Sequence, residues 1–93
     1  MSIVWKKKNP LENYEDFFID VICAKVKDVS LKVFCVEDPD KKGFLFVTWI
    51  ANTYPSKDFH VAGTIHCAKD LKAGAYKLAK KRVEAFVEFW FKG

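Results

Sequence analysis

Apolar residues recur along this 93-residue chain with two different periods, and each change of period marks an element boundary. Asn9-Pro10-Leu11-Glu12 has a helix-start pattern: a capping Asn, a Pro for the first turn and a capping-box Glu. Beyond it Leu11, Tyr14, Phe18, Val21 and Ile22 are apolar, while Glu12, Asp16 and Asp20 form an acidic stripe. That spacing predicts a helix over 10–27. The competing pattern is a strand, because FFIDVIC is rich in β-formers. Period-two or continuously apolar runs follow at 31–36, 44–51 and 59–67 and predict three strands. Asp38-Pro39-Asp40-Lys41-Lys42-Gly43 supplies the first turn, and 52–58, with Pro55 and Ser56, the second connection. Residues 69–91 return to a helical period. The expected fold is α+β in the order α-β-β-β-α, a three-stranded antiparallel sheet with two helices on one face.

At 100° per residue, Leu71, Ala75, Leu78, Ala79, Ala85, Phe86 and Phe89 of the last helix share an arc, which is the expected sheet-facing side. Arg82 falls inside that arc and must snorkel, pair or mark a break. Lys69, Lys72, Tyr76 and Lys80 share a second stripe, which Val87 and Phe91 continue. An apolar end after a basic stripe calls for a cover. Either Ile3, Val4 and Trp5 fold over it, or it is a partner or dimer contact, with Val87, Trp90 and Phe91 as its interface residues.

Length and composition bound the rest. Residues 1–93 are one domain: an apolar and basic arm over 1–9, then a core over 10–91. Hydrophobic residues make up 51% of the chain and nine are Phe, which suits a compact fold. Three cysteines, no CxxC and no signal peptide predict reduced thiols and a cytoplasmic location. No apolar run is long enough to span a bilayer. Net charge is +4 and uneven: residues 69–93 alone carry seven bases against three acids. That asymmetry points to a localised anionic partner.

The stretch GTIHCAKDLKAGAYKLA, residues 63–79, joins a strand to a helix start. Lys69 and Lys72 flank first-turn backbone N–H groups, which together make a phosphate seat. With Pro39-Asp40-Lys41 between the first two strands and Ala75 and Ala79 at small packing positions, this order resembles the double-stranded-RNA-binding domain. Gly63 matches the family's glycine, Cys67 stands for its serine, and Lys69 and Lys72 match two of its three motif lysines. Ala68 replaces the first of them. The resemblance implies a non-catalytic protein that binds duplex RNA by shape and phosphate. It places Lys69, Lys72 and Lys80 on phosphates, Glu12 or Asn13 at one minor groove, and Lys41 and Lys42 at a second. The alternative function is a small protein-interaction or inhibitor protein, of the size of a phage or plasmid accessory, working as a dimer or with another protein through the apolar end of the last helix.

Other chemistry is thinly represented. Single-strand binding requires aromatics displayed on a sheet face among cations, which FLFVTWIA supplies only if one face is open. Cys35, His60, His66 and Cys67 lack the paired spacing of a zinc site, so no metal and no cofactor is expected. His66 and Cys67 are chain neighbours and would point to opposite faces of a strand, so no catalytic residue is expected.

Overall fold

The computed structural model describes residues 3–7, 18–53 and 60–92. Five strands, β1 (Lys6–Lys7), β2 (Phe18–Val26), β3 (Val29–Glu37), β4 (Phe44–Thr53) and β5 (His60–Ala68), form one antiparallel sheet in sequence order. A 3-10 turn, Lys69–Leu71, leads into the helix α1 (Lys72–Lys92). Three of these strands and the closing helix match the sequence expectation.

The expected three-stranded sheet with two helices is corrected to five strands and one described helix. Residues 18–26 of the expected first helix form β2, and residues 10–17 lie outside the described residues. The physical reason is visible in the register. Ile22, Cys23, Ala24, Lys25 and Val26 pair with Val33, Lys32, Leu31, Ser30 and Val29, so the β-branched run gains a neighbouring ladder that an isolated helix would lack. The register shifts between Ile19 and Ile22, which is where Asp20 falls. The i, i+4 acids that mimic a helical stripe therefore end in a bulge.

Connections are short. Val26 pairs directly with Val29, so Lys27 and Asp28 make a two-residue hairpin, with Lys27 at a φ of 55°. Between β3 and β4, Asp38 Oδ1 accepts the Asp40 N–H at 2.8 Å, and the Asp38 N–H donates to the Phe44 carbonyl at 3.0 Å. Gly43 takes a φ of 85°. Its carbonyl accepts the Lys69 N–H at 2.9 Å, which pins the start of the helix to this turn.

One face of the sheet meets α1. Leu31, Val33, Cys35, Leu45, Val47, Trp49 and Ala51 point toward the helix and bury Ala75, Ala79, Val83 and Val87. These four recur every four residues, so they make one stripe along the helix. Each Leu or Val buried here contributes roughly 1.5–3 kcal/mol. The two alanines keep the helix close enough for Trp49 to lie over Gly63, its direct partner across β4 and β5.

The helix is rotated from the orientation its apolar pattern suggests. Ala75 and Ala79 do face the sheet, but Leu71 (61% exposed), Leu78 (42%), Phe86 (45%) and Phe89 (77%) stay exposed along the flank of that buried stripe. Small and β-branched side chains won the interior because the large ones would hold the helix off the sheet. Ile3 and Trp5 pack on the same core, as does Phe91, and Trp5 Nε1 donates to Glu84 Oε2 at 2.7 Å. Of the three residues expected to cover the helix end, Ile3 and Trp5 pack on the core, while Val4 is 69% exposed. Lys27 Nζ, 4.6 Å from the Phe91 ring centroid, closes that end. No described helix is long and apolar enough to cross a membrane.

Candidate nucleic-acid interface

The residues expected at the helix start do not form an outward cationic stripe. Lys69 Nζ is 2.9 Å from Glu37 Oε1, so a carboxylate already neutralises it, and Asp70 follows. Lys72 and Lys80 are half-buried on the arc that meets the sheet. Ala68 offers no side-chain cap. Lys42 shares a shallow cleft of about 480 Å³ with Lys69, but Glu37, Asp38 and Asp40 line it too. Three acids against two lysines make a poor phosphate seat. Lys41 Nζ sits 3.9 Å over the Phe44 ring. Glu12 and Asn13 lie outside the described residues. Of the expected partner-interface residues, Val87 is fully buried, Phe91 is packed on the core, and Trp90 is 39% exposed.

A different set of cations comes together on the face opposite α1. Strand alternation sends Cys23, Lys25, Ser30, Lys32, Ile50 and Asn52 to that side, because their neighbours Ala24, Leu31 and Ala51 serve the helix-side core. Register stacks them in two rows. Lys6, Cys23, Lys32 and Ile50 form one; Lys25, Ser30 and Asn52 form the other. The result is a groove of about 690 Å³ lined by Lys6, Lys25 and Lys32, with Ser30 and Asn52 as polar groups and Val4 and Ile50 among the apolar walls. Among the described residues no carboxylate lines it. Lys6 and Lys25 are exposed and Lys32 is half-buried. The signal was present in the sequence as the alternation CAKVKDVSLK, but only a hairpin reading of residues 18–37 brings Lys25 and Lys32 together.

Further along the same face the lining changes from cationic to aromatic. Phe46 and His66 face each other across β4 and β5 with ring centroids 4.7 Å apart and nearly parallel planes. Phe44 lies 5.2 Å from the same imidazole. Thr48 and Thr64, between groove and aromatics, share an exposed hydroxyl hydrogen bond of 3.3 Å. His66 Nε2 donates to Asp38 Oδ2 at 2.8 Å, which fixes the ring. The Asp40 backbone N–H, with a smaller contribution from His66, holds the Asp38 carboxyl below the usual aspartate range against the opposing effect of burial.

That depression has a sign. A lowered folded-state pKa stabilises the fold at pH values above the unfolded aspartate pKa and is lost as pH falls through the folded value. Asp38→Asn should therefore lower stability near neutrality and flatten its decline between about pH 5 and about pH 2. Urea midpoints across that range measure the effect; parallel wild-type and variant curves would contradict it.

Among the described residues no group of three His, Cys, Asp or Glu is placed to hold a metal ion. Cys23, Cys35 and Cys67 form no disulfide, and Cys35 is fully buried in the core. No protein-family model, no curated protein and no solved structure matches this chain.

Proposed function

We propose that the protein binds single-stranded nucleic acid, RNA foremost, on the sheet face opposite α1, and performs no chemistry on it. The observation that carries this reading is the groove walled by Lys6, Lys25 and Lys32, whose described lining holds no carboxylate. Phosphates follow such a groove because each ammonium releases a condensed counterion when it meets one. Next to it, the Phe44–His66–Phe46 cluster presents ring systems of the kind on which bases stack. Ser30 and Asn52 supply hydrogen-bonding groups for sugar hydroxyls within the groove.

The duplex reading drawn from the helix start is the weaker of the two nucleic-acid modes. Its leading lysine is paired with Glu37, and its neighbours Lys72 and Lys80 are half-buried. A-form RNA also closes its major groove to side chains, so a duplex would have to be read from outside. A groove on an open sheet face suits one flexible strand better.

Fluorescence anisotropy with a labelled single-stranded RNA, a DNA of the same sequence and the matching RNA duplex tests the reading. Three phosphate contacts predict that log K falls with log salt at a slope of about −2. Lys6→Gln and Lys25→Gln should each reduce that slope by about 0.7. Preference for the duplex, or slopes that neither substitution changes, would defeat the proposal.

A further inference from the structure

Residues 3–7 run beside β2 with their side chains divided between the two faces of the sheet. Ile3 and Trp5 pack on the helix-side core, while Val4 and Lys6 line the groove on the other face. Among the described residues two pairs, Lys6 with Cys23 and Lys7 with Ile22, join this segment to β2. A ladder of that length is marginal by itself, so the place of Lys6 depends on what anchors the segment elsewhere.

The anchor lies on the helix side. Trp5 Nε1 donates to Glu84 Oε2 at 2.7 Å, a part-buried bond between residues 79 apart in sequence. Its acceptor is a carboxylate, so the bond is charge-assisted and stronger than a neutral one. Glu84 belongs to α1, which packs on the face opposite the groove, and it is not among the groove's lining residues. It cannot touch a ligand there. Trp5 and Lys6 are chain neighbours with Cα atoms about 3.8 Å apart, so a bond that fixes one fixes the backbone of the other. A cation already held in place spares a ligand the cost of ordering it.

We propose, on the reading of the groove as the nucleic-acid site, that Glu84 and Trp5 are its positioning residues. Their hydrogen bond on the helix side holds residues 3–7 as a strap, and the strap sets Lys6 into the groove wall on the other side. The coupling is reciprocal: a strand bound in the groove tightens the strap.

Charge and position predict opposite outcomes at Glu84. Removing an acid from a basic protein strengthens its general attraction for a polyanion. Glu84→Ala should instead weaken binding of a labelled single-stranded RNA about eightfold at roughly 50 mM salt, and lower the salt slope by about 0.7, the share of one phosphate contact. Glu84→Gln has the same charge as Glu84→Ala but keeps an oxygen acceptor for Trp5, and should bind at least as tightly as wild type. Trp5→Phe keeps an apolar ring and loses the N–H, and should match Glu84→Ala. In the Glu84→Ala background Lys6→Gln should cost little more, while Lys25→Gln keeps its full effect. Without RNA, amide exchange at residues 6, 7, 22 and 23 should quicken in Glu84→Ala and Trp5→Phe, while β4 keeps its wild-type rates. Equal binding by the alanine and glutamine variants, full additivity of Lys6→Gln with Glu84→Ala, or unchanged exchange at those four residues overturns the proposal alone. A wild type whose binding Lys25→Gln leaves unchanged overturns the groove reading and the proposal together.

Discussion

Gly63→Ala is expected to destabilise the protein by about 3 kcal/mol, more than any other single methyl group added to the sheet. A Cβ on Gly63 would overlap the six-membered ring of Trp49, the residue directly across the ladder. The indole has little room to retreat. It is 6% exposed, Arg82 lies over it, and the buried alanines of α1 hold the helix close. The backbone of Gly63 is not in the left-handed region, so the cost is overlap and not conformation. For a domain of this size the melting temperature should fall by roughly 15 °C. Trp49→Leu made together with Gly63→Ala should lose less than the sum of the two single changes, because the smaller side chain removes the clash. Additive losses in a thermal-melt cycle would show that ring and glycine do not meet.

The second large effect separates the two sides of α1. Val83 is fully buried, so Val83→Asp places a carboxylate among the apolar side chains of the core. The cost is about 4 kcal/mol or more, against a total stability of roughly 5–14 kcal/mol for a chain of this length. The variant should lose most of its cooperative melt. Leu78→Asp, five residues earlier, should melt within a few degrees of wild type because Leu78 is 42% exposed. The periodicity alone places Leu78 inward. If Leu78→Asp unfolds the protein and Val83→Asp does not, the helix is rotated from the orientation described.

That contrast shows where the sequence is legible and where it is not. The strands β3, β4 and β5 announce themselves by β-branched alternation bounded by Asp38–Gly43 and by the Pro55 connection. The closing helix is equally plain from its period and its alanines. The segment Phe18–Val26 is ambiguous because acids at 12, 16 and 20 satisfy a helical spacing, while its β-formers find their reason only in the partner strand β3. Local pattern cannot report a ladder that depends on a neighbour. The rotation of α1 is hidden for a related reason. Hydrophobicity ranks Phe86 and Phe89 above Ala75 and Ala79, but the tight seat over Trp49 and Gly63 selects by size.

The candidate site follows the same division. The phosphate seat at the helix start reads well in one dimension, and three dimensions supply Glu37 to neutralise it. The groove lysines sit at 6, 25 and 32, too far apart to form a motif, and meet only because β1, β2 and β3 are adjacent.

The most direct test of this placement is an amide chemical-shift map of the protein titrated with single-stranded RNA at low salt. Shifts concentrated at Lys25, Ser30, Lys32, Ile50 and Asn52, extending toward Thr48 and His66, are the predicted result. Shifts confined to the helix start between Lys69 and Ala79, or none at any RNA concentration, would contradict it.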